Sequence, residues 1–84
     1  MHVIDVYSRQ GCHLCEVLIE ELMPLVRGTA RIVVHDVDSR PKWREQYGDR
    51  VPVVEVSGHH VCHFRLDREA LIAQLGQLPA EGQE

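Results

Sequence analysis

Aromatic residues are scarce: Tyr7, Trp43, Tyr47 and Phe64 are the only ones in 84 residues. The core must therefore come mainly from valine, leucine and isoleucine. Positive charge is also short, with a net charge of -4, and the arginines are scattered among carboxylates. Recognition of a phosphate backbone needs a basic face, so a nucleic-acid partner is excluded and the charges read as a solvated surface. No apolar run approaches the roughly 20 residues that cross a bilayer, so no membrane association is expected. The first residues, Met1-His2-Val3-Ile4-Asp5, lack a charged-then-apolar leader, and a cytoplasmic location follows as the expectation. Three cysteines are too few and too uneven for a disulfide framework in a reducing compartment, which leaves catalysis, metal binding or burial for each. There is no internal repeat, linker or low-complexity segment. The length suits one domain, expected over residues 1–78, with 79–84 as a disordered tail, and a monomer is expected.

What is present is a regular succession of elements. His2 to Tyr7 reads as a short buried strand, followed by the polar loop Ser8-Arg9-Gln10-Gly11. From His13 to Arg27 the residues Leu14, Val17, Leu18, Leu22, Leu25 and Val26 recur at helical spacing. Pro24 should kink or shorten this helix, and Gly28 should end it. Arg31 to Val37 is rich in β-branched residues and reads as a second strand. Asp38 or Ser39 is a candidate cap for a short helix over Pro41 to Tyr47. Pro52 to Val56 and His59 to Phe64 form a hairpin around Ser57-Gly58. Asp67 then caps a last helix with Leu71, Ile72, Leu75 and Leu78 on its apolar face. The order is β-α-β-α-β-β-α. It predicts an α/β domain with a four-stranded mixed sheet covered by helices on both faces, the thioredoxin fold.

Cys12 and Cys15 stand at the turn from the first strand into the first helix. With Cys12 as N-cap, the Cys15 amide is an orphan donor that the Cys12 sulfur can accept. A thiolate accepts that bond best, and the helix dipole pushes the same way, so the Cys12 pKa is expected to fall below the free value of about 8.5. Cys15, one turn in, is expected to be buried and to remain a thiol. The implied chemistry is attack by Cys12 on a disulfide, then attack by Cys15 on Cys12. His13 is a candidate for proton or positive charge beside the sulfur, or else an exposed first-turn residue. Leu14 offers apolar surface. Arg9 is a candidate source of positive charge at the mouth, or else a solvated loop arginine. Glu16, Glu20 and Glu21 read as a solvated helix face.

The segment Val6-Tyr7-Ser8-Arg9-Gln10-Gly11-Cys12-His13-Leu14-Cys15 resembles the strand, loop and active-site motif of glutaredoxins. Val51-Pro52-Val53-Val54 resembles their cis-proline strand, Ser57-Gly58 the following hairpin, and Asp36-Val37-Asp38 the end of their second strand. The likeness runs from about Val3 to Leu75 and is greatest to small bacterial glutaredoxin-like proteins with a Cys-x-Leu-Cys site. The resemblance implies thiol–disulfide oxidoreductase activity, with Cys12 as nucleophile, Cys15 as resolving cysteine and a cis bond before Pro52. It implies that the Val51 backbone pairs with an extended substrate or with glutathione, and that Arg9, His13, Leu14 and Arg50 contact the substrate. The implied partners are protein or small-molecule disulfides, with glutathione or a thioredoxin reductase as reductant. No bound cofactor is implied, and glutathione would be a co-substrate. The chain also departs from the pattern. It has His13-Leu14 where glutaredoxins usually carry Pro-Tyr, and Arg50 where they carry Thr. Phe64-Arg65-Leu66 occupies the region of their paired glycines and following Asp.

Two other readings remain open at this stage. Cys12, Cys15, Cys62 and one of His13, His59, His60 or His63 would make a zinc set of three cysteines and a histidine. Otherwise Cys62 is a small buried hydrophobe or a regulatory thiol near the site, and the histidines are ordinary surface residues. A non-catalytic adaptor would use Trp43 and Tyr47 as a partner surface; the other use of that spacing is packing against the sheet.

Overall fold

Strand β1 (His2–Ser8) alternates in burial: His2, Ile4 and Val6 are buried, while Val3, Asp5 and Tyr7 on the opposite face are half-buried. That period of two is what a sheet with two unequally covered faces requires. In the computed structural model, which describes residues 2–77, β1 lies at the centre of a four-stranded sheet of order β2-β1-β3-β4. β2 (Ala30–Asp36) runs parallel to β1, and β3 (Val53–Val56) runs antiparallel to it. β4 (His59–His63) pairs antiparallel with β3. Helices α1 (His13–Val26), α2 (Pro41–Tyr47) and α3 (Arg68–Gln77) complete the β-α-β-α-β-β-α order.

The helices divide between the two faces. Leu18, Leu22 and Val26 of α1 and Leu71 of α3 pack with Ile4, Val6, Val54, Val56 and Cys62. On the other face Tyr47 of α2 packs with Val37 and Val53, flanked by Tyr7, Trp43 and Val51. This is the thioredoxin fold expected from the element order. Most of the scarce aromatic side chains are gathered on this second face. Tyr7 stacks on Tyr47 with ring centres 4.0 Å apart and on His35 at 4.8 Å, and Trp43 meets Tyr7 edge-on at 5.5 Å. The Tyr47 hydroxyl donates to Glu55 at 3.0 Å, and His35 Nε2 lies 2.8 Å from Asp5 Oδ1. Burial raises the pKa of both tyrosines. Trp43 and Tyr47 are therefore packed against the sheet, the non-adaptor alternative for their spacing.

Several local expectations need correction. Asp38 and Ser39 do not cap α2; its N-cap is Arg40, without a side-chain bond to the helix. Pro41 at the first position removes one donor, and the Asp38 carboxylate is held by Arg9 Nε at 3.0 Å and Arg44 Nε at 3.2 Å. Two guanidiniums thus take the Asp38 carboxylate, and the Ser39 hydroxyl donates to the Asp36 carbonyl at 2.6 Å, so both side chains are engaged elsewhere. The second strand stops at Asp36, and Val37 is buried in a 3-10 turn, Val37–Ser39. The fourth strand carries a bulge that leaves Val61 without a partner, and it stops at His63, where Phe64 turns to φ 67°. Pro24 is accommodated inside α1, which ends two residues later, at Val26. Leu14, Leu25 and Ile72, expected on apolar faces, are exposed. Asp67 does cap α3: its carboxylate accepts from the Ala70 amide at 3.0 Å. Leu78 and the tail expected at 79–84 lie outside the described residues.

Leu22 is fully buried at the centre of the larger cluster. Leu22→Ala should cost about 2–5 kcal/mol in urea unfolding, a large share of a small domain's stability; a loss well under 1 kcal/mol would show that this cluster is not the core. Asp38 is held below the usual carboxylate range, chiefly by its hydrogen bond to Arg9. A depressed folded-state pKa gives stability that is present above the unfolded value of about 3.9 and is lost as pH falls below it. Asp38→Asn should lower the Tm at pH 7, and the gap to the unsubstituted protein should close as the pH drops toward 3.

Candidate active site

The site begins at the C-terminal end of β1. Ser8 leads into a turn closed by the Cys12 amide donating to the Arg9 carbonyl at 3.3 Å, with Gly11 at φ 75° in its third position. That backbone region favours glycine, because a side chain there meets the following carbonyl. The turn delivers Cys12 as the N-cap of α1, with extended backbone (φ -93°, ψ 108°). The Cys15 amide then donates to Cys12 Sγ at 3.3 Å, and the Glu16 amide donates to the Cys12 carbonyl at 3.2 Å. The expected capping geometry is present, and sulfur takes the part that a serine or aspartate oxygen plays elsewhere.

The two thiols differ in surroundings. Cys12 is half-buried and Cys15 is buried. The Cys15 thiol donates to Cys12 Sγ at 2.7 Å. Burial is the main cause that pushes the Cys15 pKa up, and the hydrogen bond to Cys12 adds to it. One sulfur is thus reachable and faces an amide, while the other is withheld as a thiol in direct contact with it.

Pro52 reaches the same end of the sheet by register. Tyr7 pairs with Val53, so the residues just before β3 lie level with the end of β1 that leads to the cysteines. The Val51–Pro52 bond is cis. Pro52 is buried, and its carbonyl accepts from the Phe64 amide at 2.9 Å. Val51 is half-buried against the aromatic face.

The remaining candidates are placed less directly. His13 is exposed, with Nδ1 3.9 Å from Glu16 Oε1, and Leu14 is exposed. The Arg9 guanidinium is occupied: it grips the Asp38 carboxylate through two nitrogens, at 3.0 and 3.3 Å, and reaches the Gly48 carbonyl at 3.4 Å. Its role here is to tie the β1–α1 loop to the chain around α2. Arg50 donates back to the Gln46 carbonyl at the end of α2. Arg9 is thus committed to an ion pair, while the recorded partner of Arg50 is a neutral carbonyl. The sequence reading missed Phe64, which leaves β4 in a left-handed conformation, hydrogen-bonded to Pro52 and exposed. Its signal was the substitution of Phe64-Arg65 in a region where glutaredoxins carry glycines, the residue that adopts such backbone freely.

Cys62 belongs to the larger core cluster, and burial pushes its thiol pKa up. Among the described residues no three His, Cys, Asp or Glu side chains come together as a set able to hold a metal ion. The zinc set of Cys12, Cys15, Cys62 and a histidine is therefore not assembled. No helix among the described residues is long and apolar enough to cross a membrane.

The chain is similar to proteins of known structure over most of its length. A protein from Nitrosomonas europaea, solved by solution NMR, shares 33% identity, with 87% of this chain and 89% of that one covered and a TM-score of 0.79. A protein from X. campestris, solved by X-ray diffraction, shares 28% identity over 90% of this chain and 99% of its own, with a TM-score of 0.68. A malarial protein, at 12% identity and a TM-score of 0.59, covering 92% of this chain and 96% of its own, shares the fold alone. No curated protein matches the chain. The family model described as "Glutaredoxin-like domain (DUF836)" matches residues 3–76. A match over that span takes in the cysteine turn, the cis-proline strand, α1, α2 and all of α3 but its last residue, so the chain belongs to the glutaredoxin-like domain family.

Proposed function

We propose that the protein is a thiol–disulfide oxidoreductase that works through both cysteines of its Cys-x-Leu-Cys turn. The observation that carries this reading is the pairing of a half-buried Cys12 sulfur at a helix N-cap with the buried Cys15 thiol 2.7 Å away. The two sulfurs are in contact, the arrangement that closure of a disulfide between them requires.

In the reaction the Cys12 thiolate attacks one sulfur of a substrate disulfide. The substrate S–S bond breaks, its other sulfur leaves as a thiolate and takes up a proton, and a mixed disulfide to Cys12 forms. Cys15 loses its proton and attacks Cys12 Sγ. The second substrate sulfur departs as a thiol, and the Cys12–Cys15 disulfide remains. The substrate gains two electrons and the protein loses two. The raised Cys15 pKa suits this order, because a thiol that keeps its proton does not compete for the first attack. The backbone before Pro52 offers an edge against which an extended substrate can lie. Protein or small-molecule disulfides are the proposed substrates. Glutathione or a thioredoxin reductase would reset the pair, and the cytoplasm, which holds both, is the proposed location.

Removing each sulfur should give different failures. With pre-reduced protein and a stoichiometric peptide disulfide, Cys12→Ser should be at least about a thousandfold slower, since no nucleophile remains at the helix start. Cys15→Ser should react once and accumulate the mixed disulfide, visible as an adduct in intact-mass spectra. If Cys12→Ser retained the rate, or Cys15→Ser released both substrate thiols without an adduct, the dithiol route would be wrong.

A further inference from the structure

The two edges of the sheet are not alike. β4 is short and carries a bulge, a usual device against the addition of a further strand. β2 has neither a bulge nor a proline, and all seven of its residues stay in register with β1. Among the described residues β2 pairs only with β1, so its outer N–H and C=O groups form an unbroken row without strand partners.

A groove of about 470 Å³ runs beside this edge, between α1 and β2. Its apolar walls are Ile19, Met23, Val26, Ile32 and Val34. Ile19, Ile32 and Val26 belong to the larger core cluster or pack against it, whereas Met23 is 52% and Val34 51% exposed. Neither cysteine of the active-site turn lines the groove, nor does Pro52. An open strand edge continuous with exposed apolar side chains is a place for another chain to add.

Charge narrows the occupant. On α1 the residues Glu16, Glu20, Met23 and Arg27 follow at intervals of four, three and four, which sets them along one line of the helix. The chain turns back from α1 into β2 through Gly28 and Thr29, so Arg27 and Arg31 mark one end of the groove. Glu16, Glu20 and, on β2, Asp36 lie toward the other end. Among the described residues no carboxylate is within ion-pair distance of Arg27 or Arg31. At the acidic end Glu16 is 3.9 Å from His13, and Asp36 accepts from the Asp38 amide. His35 is turned to the other face of the sheet, stacked on Tyr7 and paired with Asp5. A strip that is basic at one end, apolar in the middle and acidic at the other is complementary to itself about a two-fold axis.

We infer that this edge is a homodimer interface. β2 of one copy pairs antiparallel with β2 of a second, and the two grooves close on each other. Full overlap of two seven-residue strands puts Val33 on the axis and Ile32 opposite the partner's Val34. The two α1 helices then run antiparallel on one face of the joined sheet, and Arg27 of each copy faces the acidic half of the other. This departs from the monomer expected from the sequence. It does not depend on the redox reading: the two-fold sets the cysteine turns at opposite ends of the joined sheet.

Sedimentation velocity from about 1 to about 500 μM tests it. A phosphine reductant is present throughout, so that no cross-link through Cys12 is counted as a dimer. The unsubstituted protein should pass from monomer to dimer within that range. Val34→Lys on the strand and Met23→Glu on the helix should each remain monomeric at the highest concentration. Both side chains face solvent, so thermal unfolding should show the fold retained in at least one of the two. Arg27→Glu should weaken the dimer about tenfold, because two symmetry-related contacts reverse sign, and adding Glu20→Lys should restore it. A monomer across the whole range, or a dimer that survives both Val34→Lys and Met23→Glu, would overturn the interface. A dimer that those two break but Arg27→Glu leaves at full strength would overturn its antiparallel arrangement.

Discussion

The Cys15 amide aimed at Cys12 Sγ, 3.3 Å away, is the constraint on which the rest of the structure turns. An amide in the first turn of a helix has no carbonyl to bond and must find a partner. Placing a sulfur there gives the protein a group that completes the helix and is also its most reachable nucleophile. The arrangement works only if the chain arrives at the right angle. β1 is held on both sides by β2 and β3, and the turn through Gly11 at φ 75° reverses its direction within a few residues. The Arg9–Asp38 ion pair then anchors the loop from the opposite face of the sheet. The helix that carries Cys15 is held in turn by Leu18 and Leu22 in the core.

The two faces of the sheet do different work. Under α1 and α3 the packing is aliphatic, and it holds the helix that carries Cys15. Under α2 it is aromatic and polar, with Tyr7, His35, Trp43 and Tyr47 in mutual contact and Asp5 and Glu55 accepting hydrogen bonds. This second face supports both strands that lead to the site, β1 through Tyr7 and β3 through Val53. Its polar groups are satisfied, since no buried side-chain nitrogen or oxygen among the described residues is left without a partner. The aromatic scarcity seen in the composition is thus met by concentration at one place.

Features governed by local chemistry were legible in the sequence. Cys12 at a helix start, Asp67 as a cap, and Trp43 with Tyr47 one turn apart each depend on residues within a few positions. The element order was legible for the same reason, because each element carries its own hydrophobic period. Features set by distant partners were not. Asp38 has the composition of a cap, but Arg9, 29 residues away in the chain, takes its carboxylate. The run from His59 to Phe64 has a strand composition throughout, and nothing in it announces the unpaired Val61; the left-handed turn at Phe64 shows only by comparison with the glycines that glutaredoxins carry there. Arg9 reads either as a charge at the mouth or as a solvated loop residue, because a sequence does not show which carboxylate will claim a guanidinium. Leu14 and Ile72 satisfy a helical period yet face outward, since the period fixes a stripe and not how much of it a neighbour covers.

The central claim is that the two sulfurs of one short turn are made unequal by their place on a helix. Timed alkylation with iodoacetamide at neutral pH, read by peptide mass spectrometry of the reduced, folded protein, tests it most directly. The account requires Cys12 to be labelled first and Cys15 to lag behind it by at least about tenfold. Labelling of Cys15 before Cys12, or at an equal rate, would contradict it.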